Sequence, residues 1–472
     1  MRVFLSIALA LGWNAFAQTQ RLVSLDVAAI DAQGGAVTDL QAADVQVRED
    51  GKPMPIVFFR FAGDHRLAIP PAPGEFTNRP MPAPMLILFD RWNERIMTAA
   101  SGWNDIDNAL RHKESADRVY IFFLTSHGEL FPVHPMPFGE QGTGSDEISP
   151  AGLVTKLDQA VHKLQGLRDV DAIDPIARTN TTFQALAGLL QQMAWISGRK
   201  SLIWITHGVP LTAPALTGDW VDFAPPIRRL SELAADSRTA IYTVAQSAEG
   251  AGADVSSLSR QALEMFAELT GGRFYPSGNS DTAISAAASD ARAIYRIAYY
   301  STVRDKDNKE HKIRITSTRK GIKLQSRQGY VPGAALAISA DEKEQAAFGN
   351  EAAGPFDATD IALRVTMSRK SRSVLHLDMR VDPVDVLIQR QGDRYRGGLA
   401  LAPALYVGTE LQQPPPPVNF DIDLTPDQFA AAAKSWIHVG QDVTVDDKTQ
   451  KVRMMVYDRE LHSLGSVTIP IQ

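Results

Sequence analysis

The stretch Pro84-Met85-Leu86-Ile87-Leu88-Phe89-Asp90-Arg91-Trp92-Asn93-Glu94 predicts a buried strand that ends on an acid. Its apolar run is too short to cross a membrane and has no polar position, which is typical of a strand buried on both faces. Open α/β folds bind their ligands at the carboxyl edge of the parallel strands. Asp90 is therefore the first candidate functional residue of the chain.

The same kind of apolar strand alternates with amphipathic helices on both sides of this stretch. Strands are predicted at residues 118–124, 200–206, 239–245 and 295–300. Helices are predicted at residues 153–164, 183–193, 227–237, 258–269 and 280–293. Regular alternation of this kind predicts an α/β domain with a mostly parallel sheet and helices on both faces, and we assign it to residues 84–332. Residues 311–317 and 321–327 are predicted to pair as a hairpin at its end.

The flanking segments have different patterns. Residues 18–65 alternate apolar residues with glycine-rich turns and predict a small N-terminal β unit. Prolines crowd residues 66–83, which predicts a semi-rigid linker, and the polar, alanine-rich residues 333–357 predict a second linker. Residues 358–472 carry short alternating strands that predict a C-terminal β-sandwich. Three folded parts agree with a length of 472 residues at roughly 150 residues per domain.

Composition and the first residues indicate an exported protein. Arg2 precedes a short apolar run at residues 4–11, and Ala15-Phe16-Ala17 follows, so we predict a signal peptide at residues 1–17 that is cleaved after Ala17. A membrane anchor would need about 20 apolar residues, and no later stretch has that length either. The absence of cysteine removes disulfides and thiolate metal sites, and a net charge of −6 makes nucleic acid a poor partner. We expect a secreted or periplasmic location.

A set of short motifs, in this order along the chain, resembles the secreted von Willebrand factor A (vWA) domain proteins of the acidobacterial type. The motifs are Val37-Thr38-Asp39-Leu40 with Asp44-Val45, Glu49-Asp50-Gly51-Lys52-Pro53, Asp90-x-x-Asn93, Gly198-Arg199-Lys200-Ser201-Leu202-Ile203-Trp204, Thr270-Gly271-Gly272, Tyr299-Tyr300 and Arg327-Gln328-Gly329-Tyr330. The resemblance covers roughly residues 21–332 and implies a vWA-like fold. It also implies an adhesion or protein-binding role, in which Mg²⁺ or a similar cation sits at the top of the sheet.

The vWA resemblance implies a metal-ion-dependent adhesion site whose usual residues are only partly present. Asp90 matches the first acid, whereas Trp92 and Glu94 occupy the two serine positions and His207 occupies the late aspartate position. Thr179 is our candidate from the threonine loop at residues 178–182, although spacing alone does not choose among its hydroxyls. The metal candidates are thus Asp90, Glu94 and Thr179, and the ligand-binding candidates are Trp92, Asn93 and His207.

Two interpretations of this edge stay open. In the first, Asp90, Glu94 and Thr179 hold a divalent cation and Trp92 is a binding platform. In the second, Asp90 caps the following helix and joins a polar cluster with His207 or Arg91, while Trp92 covers the sheet edge. Because a histidine and a tryptophan suit a hard cation poorly, we expect a degenerate site and no cofactor.

We find none of the common catalytic motifs, such as a Gly-x-Ser-x-Gly elbow or a His-Glu-x-x-His helix. The leading hypothesis is a non-enzymatic module that binds another protein or an envelope component. One alternative is a metal-dependent hydrolase using Asp90, Glu94 and His207, which requires those side chains to converge. The other is a structural envelope scaffold.

Overall fold

A computed structural model describes residues 21–62, 70–78, 82–93, 118–136, 149–165, 174–246, 257–276, 279–303, 309–332, 339–412 and 416–471. The predicted signal peptide, Glu94 and the helix predicted after Asp90 lie outside these residues. The described part is a mixed α/β structure. None of its helices is long and apolar enough to cross a membrane.

The described residues form seven α-helices and 26 strands. The helices are α1 (Pro150–Gln165), α2 (Pro175–Met193), α3 (Ala224–Asp236), α4 (Ser257–Thr270), α5 (Ser280–Ala291), α6 (Ala340–Ala353) and α7 (Pro426–Ser435). The first strands are β1 (Leu22–Ile30), β2 (Val45–Glu49), β3 (Lys52–Met54), β4 (Ile56–Phe61), β5 (Glu75–Thr77), β6 (Met85–Asp90), β7 (Val119–Leu124), β8 (Leu130–His134), β9 (Lys200–Thr206), β10 (Thr212–Pro214), β11 (Trp220–Asp222), β12 (Thr239–Ala245) and β13 (Phe274–Tyr275). The remaining strands are β14 (Ile294–Tyr300), β15 (His311–Ser317), β16 (Lys323–Gln325), β17 (Gly329–Tyr330), β18 (Leu363–Ser371), β19 (Val374–Val381), β20 (Gln389–Gln391), β21 (Arg394–Val407), β22 (Glu410–Leu411), β23 (Val418–Leu424), β24 (Ile437–Thr444), β25 (Lys451–Asp458) and β26 (Ser463–Pro470).

The central sheet has the strand order β13-β12-β9-β6-β7-β8. Its strands run parallel except β8, which is antiparallel to β7. Every residue of β6 is buried, and alternate residues serve two separate cores. Leu86 and Leu88 pack in the core that includes α2, α3 and α4, whereas Ile87 and Phe89 pack in the core that includes α1 and α5. The predicted buried strand and the predicted parallel sheet are confirmed, since a strand with cores on both faces has no polar position.

The N-terminal residues do not form their β structure alone. Strands β1 and β4 flank β14 in the sheet β16-β1-β14-β4, and β2 lies in the sheet β17-β15-β2-β3. Residues 295–300 are a strand as predicted, but their assignment to the central sheet is wrong, because β14 runs antiparallel to β1, from Leu22 opposite Tyr300. Tyr295, Ile297 and Tyr299 share one core with both sheets. Residues 311–317 pair with β2 and residues 323–325 with β1, so the predicted hairpin is wrong as well.

Both segments predicted as linkers contain regular structure. Strand β5, in the proline-rich segment, pairs with β18, and the buried carboxylate of Glu75 forms ion pairs with Arg364 at 2.9 Å and with Arg380. An edge strand needs few backbone donors, so neighbouring prolines do not prevent it. Helix α6 begins at a capping box, in which Ser339 Oγ accepts from the Glu342 backbone N–H at 3.2 Å. Alanine, glutamate and lysine are strong helix formers, which explains a helix in a polar segment.

The C-terminal residues, together with β5, form two antiparallel sheets. One has the order β24-β19-β18-β5, and the other has the order β20-β21-β25-β26, with β22 and β23 also paired to β21. Val365 and Leu377 from the first sheet belong to the same buried cluster as Leu401, Met454 and Val467 from the second. Helix α6 packs on the second sheet, where the ring of Phe348 lies 5.8 Å from that of Tyr457. Residues of both sheets therefore share one buried cluster, and a second cluster lies between α6 and the second sheet.

One partly buried arginine connects the three parts of the structure. Arg238, between α3 and β12, donates to both carboxylate oxygens of Asp26 in β1, at 2.9 and 2.8 Å. A third N–H of the same guanidinium donates to Asp360 Oδ2 at 2.7 Å, just before β18. The two carboxylates raise the pKa of Arg238 although burial lowers it. Arg238 thus holds two acids from different parts of the chain in one charge cluster.

Candidate functional site

Asp90 ends β6 at the carboxyl edge of the central sheet, where the sequence predicts it. The residue is 4% exposed, and its carboxylate accepts four hydrogen bonds from the chain itself. Oδ1 accepts from the backbone N–H of Asn93 at 3.1 Å. Oδ2 accepts from Asn93 Nδ2 at 2.6 Å, from Thr206 Oγ1 at 2.7 Å and from Trp204 Nε1 at 3.2 Å. Three of these bonds therefore reach Oδ2, which uses its accepting capacity, and one reaches Oδ1.

The Asp90 cluster extends to helix α2 through Asn93. Asn93 Nδ2 also donates to Thr182 Oγ1 at 2.9 Å, and Thr182 Oγ1 donates to the Arg178 carbonyl one helical turn earlier, at 3.1 Å. Thr206 Oγ1 in addition accepts from the Gly208 N–H at 2.9 Å. The cluster therefore connects β6, β9 and α2 at the carboxyl edge.

Burial raises the pKa of the Asp90 carboxyl above its ordinary value, although the hydrogen bonds from Asn93, Thr206 and Trp204 lower it. The hydrogen-bond donors are all neutral, so their lowering of the pKa is smaller than the increase that burial causes. Asp90 is thus a desolvated acid held by neutral donors.

Trp92 covers the sheet edge and does not present a face to solvent. Its side chain is 6% exposed, and its indole Nε1 donates to the Arg178 carbonyl at 3.0 Å. The Arg178 guanidinium lies 5.2 Å from the centre of the indole ring and donates to the Trp92 carbonyl. These contacts agree with the covering role among the two alternatives for Trp92.

The other predicted site residues are only partly brought together. Thr179 Oγ1 donates to the Pro175 carbonyl at 2.8 Å within its own helix, and Thr182 is the threonine that reaches the cluster. Burial lowers the pKa of His207, which is half-buried and is not among the described hydrogen-bond partners of Asp90. Glu94 lies outside the described residues.

The divalent cation that the vWA resemblance implies does not fit the described residues around Asp90. An indole N–H and an amide NH₂ are donors only, and both direct hydrogen atoms at Asp90 Oδ2. Hard cations are bound by several converging oxygens. Among the described residues no group of three or more His, Asp or Glu is placed to hold a metal ion. The geometry is that of a hydrogen-bonded cluster, and we derive no metal-dependent step from it.

Strands β10 and β11 form a hairpin at the same edge, in the connection from β9 to α3. Trp220 pairs with Pro214 and is 66% exposed, and Leu216 in the turn is 100% exposed. The turn is closed by hydrogen bonds from the Gly218 N–H to the Ala215 carbonyl at 2.9 Å and from the Ala215 N–H to the Asp219 carbonyl at 2.7 Å. Gly218 has a φ of +90°, which favours glycine. The tip therefore displays two large apolar side chains on a closed turn.

The base of this 212–222 hairpin is fixed in the central core. Ala213 and Phe223 are buried there, and Leu211 and Val221 pack against the same cluster. The Phe223 N–H donates to the Leu211 carbonyl at 2.9 Å across the base. Anchoring of this kind lowers the entropy that the tip would lose on binding.

No family model matches the chain, and no curated protein matches it. Among solved structures, one that matches is proximal thread matrix protein 1 (PTMP1) from the mussel byssus, with 11% sequence identity and a TM-score of 0.28. The match covers 46% of this chain and 49% of that protein, so the chain spans about half the length of the protein it matches. At that TM-score the match carries no argument about fold or function.

Two partners of Asp90 were missed at the level of sequence, although a signal for them exists. In the parallel register of β6 and β9, Leu88 lies opposite Trp204 and Phe89 opposite Ile205. Side chains alternate between faces along a strand, so Trp204 and Thr206 share a face with Asp90. The hairpin was also missed, because its strands have only three residues each.

Proposed function

We propose that the chain is an exported vWA-like protein that acts as a non-enzymatic protein-binding or adhesion module with a degenerate metal-ion-dependent adhesion site. In this proposal the α/β part is the vWA-like domain, and the two C-terminal sheets form a β-sandwich. Support for the vWA-like assignment comes from the ordered motifs and from a parallel sheet with helices on both faces that ends at Asp90.

The observation that carries the binding proposal is the 212–222 hairpin. Exposed large apolar residues that lie together mark interaction sites more often than isolated ones do. Leu216 and Trp220 are both on this hairpin, at the edge where open α/β folds bind their ligands. Tryptophan is enriched among the residues that contribute most to binding energy. We therefore assign recognition to the hairpin tip.

The Asp90 cluster supports the non-enzymatic and degenerate parts of the proposal. To reach Asp90 Oδ2, a cation or a catalytic water would have to displace donors that already bind it, at the desolvation cost of each donor left unpaired. The hydrolase alternative needs Asp90, Glu94 and His207 to converge, and the described donors to the Asp90 carboxylate are Asn93, Trp204 and Thr206. Asp90 in this proposal fixes the edge from which the hairpin projects.

A capture experiment with the native envelope fraction tests the proposal. The mature chain, beginning at residue 18, is immobilised as the wild type, as Trp220→Ser and as the matched control Val418→Ser, which alters a 51% exposed apolar residue of β23. We expect a discrete set of proteins that the wild type and Val418→Ser retain and Trp220→Ser loses. Equal retention by all three proteins would refute recognition through the hairpin.

A further inference from the structure

Strand β24 has a described neighbour on one side only. It stands at the end of the sheet β24-β19-β18-β5 and pairs with β19 over its full 8 residues. Backbone groups alternate between the two sides of an antiparallel strand, and the Val445 N–H donates to the Ser373 carbonyl at 2.9 Å as the next step of this ladder. The odd-numbered residues of β24 therefore bond to β19. His438, Gly440 and Asp442 direct their backbone N–H and C=O groups to the other side, which we call the β24 edge.

The β24 edge lacks the features that usually protect an edge strand. Such strands are commonly short, bulged, or interrupted by lysine or proline. Residues 437–444 contain neither lysine nor proline, and their register with β19 has no shift. At the opposite end of the same sheet β5 has only 3 residues, and at the end of the second sheet the Ser466 N–H in β26 donates to the Ala358 carbonyl at 3.0 Å. An unprotected edge of 8 residues is a template for pairing with a further strand.

The exposed face of β24 carries one base and one acid. The side chains of His438 and Asp442 are 58% and 50% exposed. His438 Nδ1 lies 3.8 Å from Asp378 Oδ1 in the neighbouring strand. The Asp442 carboxylate accepts from Lys370 Nζ at 2.9 Å and from His376 Nδ1 at 2.6 Å, and its exposed surface leaves room for a further donor. A glycine stands midway between the two residues, so no side chain separates the base from the acid on this face.

We propose that β24 of one copy pairs antiparallel with β24 of a second copy of this chain, about a two-fold axis beside Gly440. In this register Gly440 faces its own counterpart, His438 lies opposite Asp442 of the second copy, and the reverse pair forms on the other side of the axis. Directly opposite residues of this ladder exchange both backbone hydrogen bonds. A histidine ring has an N–H for a carboxylate whether it is neutral or protonated, and opposite charges across paired strands stabilise the pair. Because both copies use the same surface, the contact closes as a dimer.

Charge complementarity selects this register and this strand. A shift by two residues would place His438 opposite Thr444 and Asp442 opposite Gly440, and both His–Asp pairs would be lost. Strand β23, which pairs only with β21 among the described strands, is a poor candidate for the same contact. Residues 418–424 contain two aspartates and no base, so no antiparallel register of β23 with its own copy gives an opposite-charge pair.

Sedimentation velocity of the purified full mature chain over a concentration series tests this contact. The wild type should show a monomer–dimer equilibrium and no larger species. His438→Glu should weaken dimerisation by about tenfold or more, because symmetry replaces two complementary pairs by two like-charged pairs. Thr366→Glu is the matched control, since Thr366 in β18 is exposed and lies directly opposite Asp378. It places a new glutamate beside the same aspartate, away from the β24 edge, and should dimerise as the wild type does.

Two single-cysteine variants test the register, because the chain contains no cysteine of its own. In the proposed dimer His438 lies opposite Asp442 of the second copy, at a Cα separation of about 5.5 Å that suits a disulfide. A mixture of His438→Cys and Asp442→Cys keeps one His–Asp pair and should give a disulfide-linked dimer under mild oxidation. In a dimer of either variant alone the two cysteines would be about 14 Å apart, so each variant by itself should give far less linked product.

The outcome is separable from the proposed function, because the 212–222 hairpin takes no part in this contact. Trp220→Ser should therefore dimerise as the wild type does. The inference would be overturned by a wild type that stays monomeric at every concentration, or by a dimer that His438→Glu weakens no more than Thr366→Glu does. A cysteine mixture that cross-links no better than its components would also overturn it. Each of these results would leave envelope capture through the hairpin in place.

Discussion

Arg238→Ala should destabilise the whole chain, because it removes the shared cation of Asp26 and Asp360. The two carboxylates come from β1 and from the segment before β18, and both are mostly buried. Removing one partner of a buried ion pair costs about 3–5 kcal/mol, since the other charge stays buried without compensation. Arg199 and Arg296 still act on Asp26 in the variant. We therefore expect the free energy of unfolding to fall by about 3 kcal/mol near neutral pH.

The pH dependence of this loss identifies its cause. Burial raises and Arg238 lowers the pKa of Asp26, and the net pKa lies below the ordinary value. An acid with a depressed folded pKa stabilises the native state above its unfolded pKa, and this contribution disappears as the pH falls through the folded pKa. Without Arg238, burial is opposed only by Arg296 and, at Asp26, also by Arg199, so the pKa of both acids should rise. The variant should then gain stability relative to the wild type as the pH falls from about 7 to about 4.

Equilibrium chemical denaturation of the two proteins at both pH values measures these quantities. Arg229→Ala is the matched control, because Arg229 lies exposed in α3 and an exposed substitution changes stability by about 0.5 kcal/mol or less. A difference between Arg238→Ala and the wild type that is below about 1 kcal/mol at neutral pH would refute the reasoning. A large difference that does not shrink in acid would show that packing, not charge, causes the loss.

Three further predictions concern single residues. Asp90→Ala should lower the free energy of unfolding by about 3 kcal/mol, because three donor side chains lose their acceptor. In thermal-shift assays, Mg²⁺, Mn²⁺, Ca²⁺ and Zn²⁺ should leave the melting temperature of the wild type unchanged. Burial raises the pKa of Glu351 to about 7. Between pH 4.5 and 7 the native state therefore holds a proton that the unfolded chain has lost, and stability falls as the pH rises through this range. Glu351→Gln should therefore stabilise the protein by about 3 kcal/mol in alkaline denaturation series and by little in acid. Gly208→Ala should destabilise the protein by about 1–3 kcal/mol in the same assay, because the φ of Gly208 is +94° and an added Cβ would lie 2.8 Å from Ser259 Cβ. A neutral result would show that the turn after β9 can relax.

Local sequence patterns predict best the elements that pack against segments close to them in the chain. Strand β6 has alternate residues in two cores, and α1 to α5 each follow or precede a strand of the α/β part, so burial shows directly in the periodicity. The pairing partner of a strand, in contrast, does not show in its local pattern. Strand β14 has the same apolar character as a central strand, yet it pairs with β1, and Leu22 faces Tyr300. No local pattern encodes a partner so far away in the chain.

The candidate site shows the same limit at the level of single side chains. The position of Asp90 follows from one strand, but its chemistry depends on which atoms of β9 and α2 face it. Thr179 and Thr182 lie less than one helical turn apart, and only the second meets Asn93. One hydroxyl, that of Thr206, also reaches Asp90, and it donates its hydrogen atom to Oδ2 at 2.7 Å. An indole and an amide direct hydrogen atoms at the same oxygen, which favours a fixed cluster of neutral donors at the edge. In our proposal, recognition is then left to the exposed hairpin beside it.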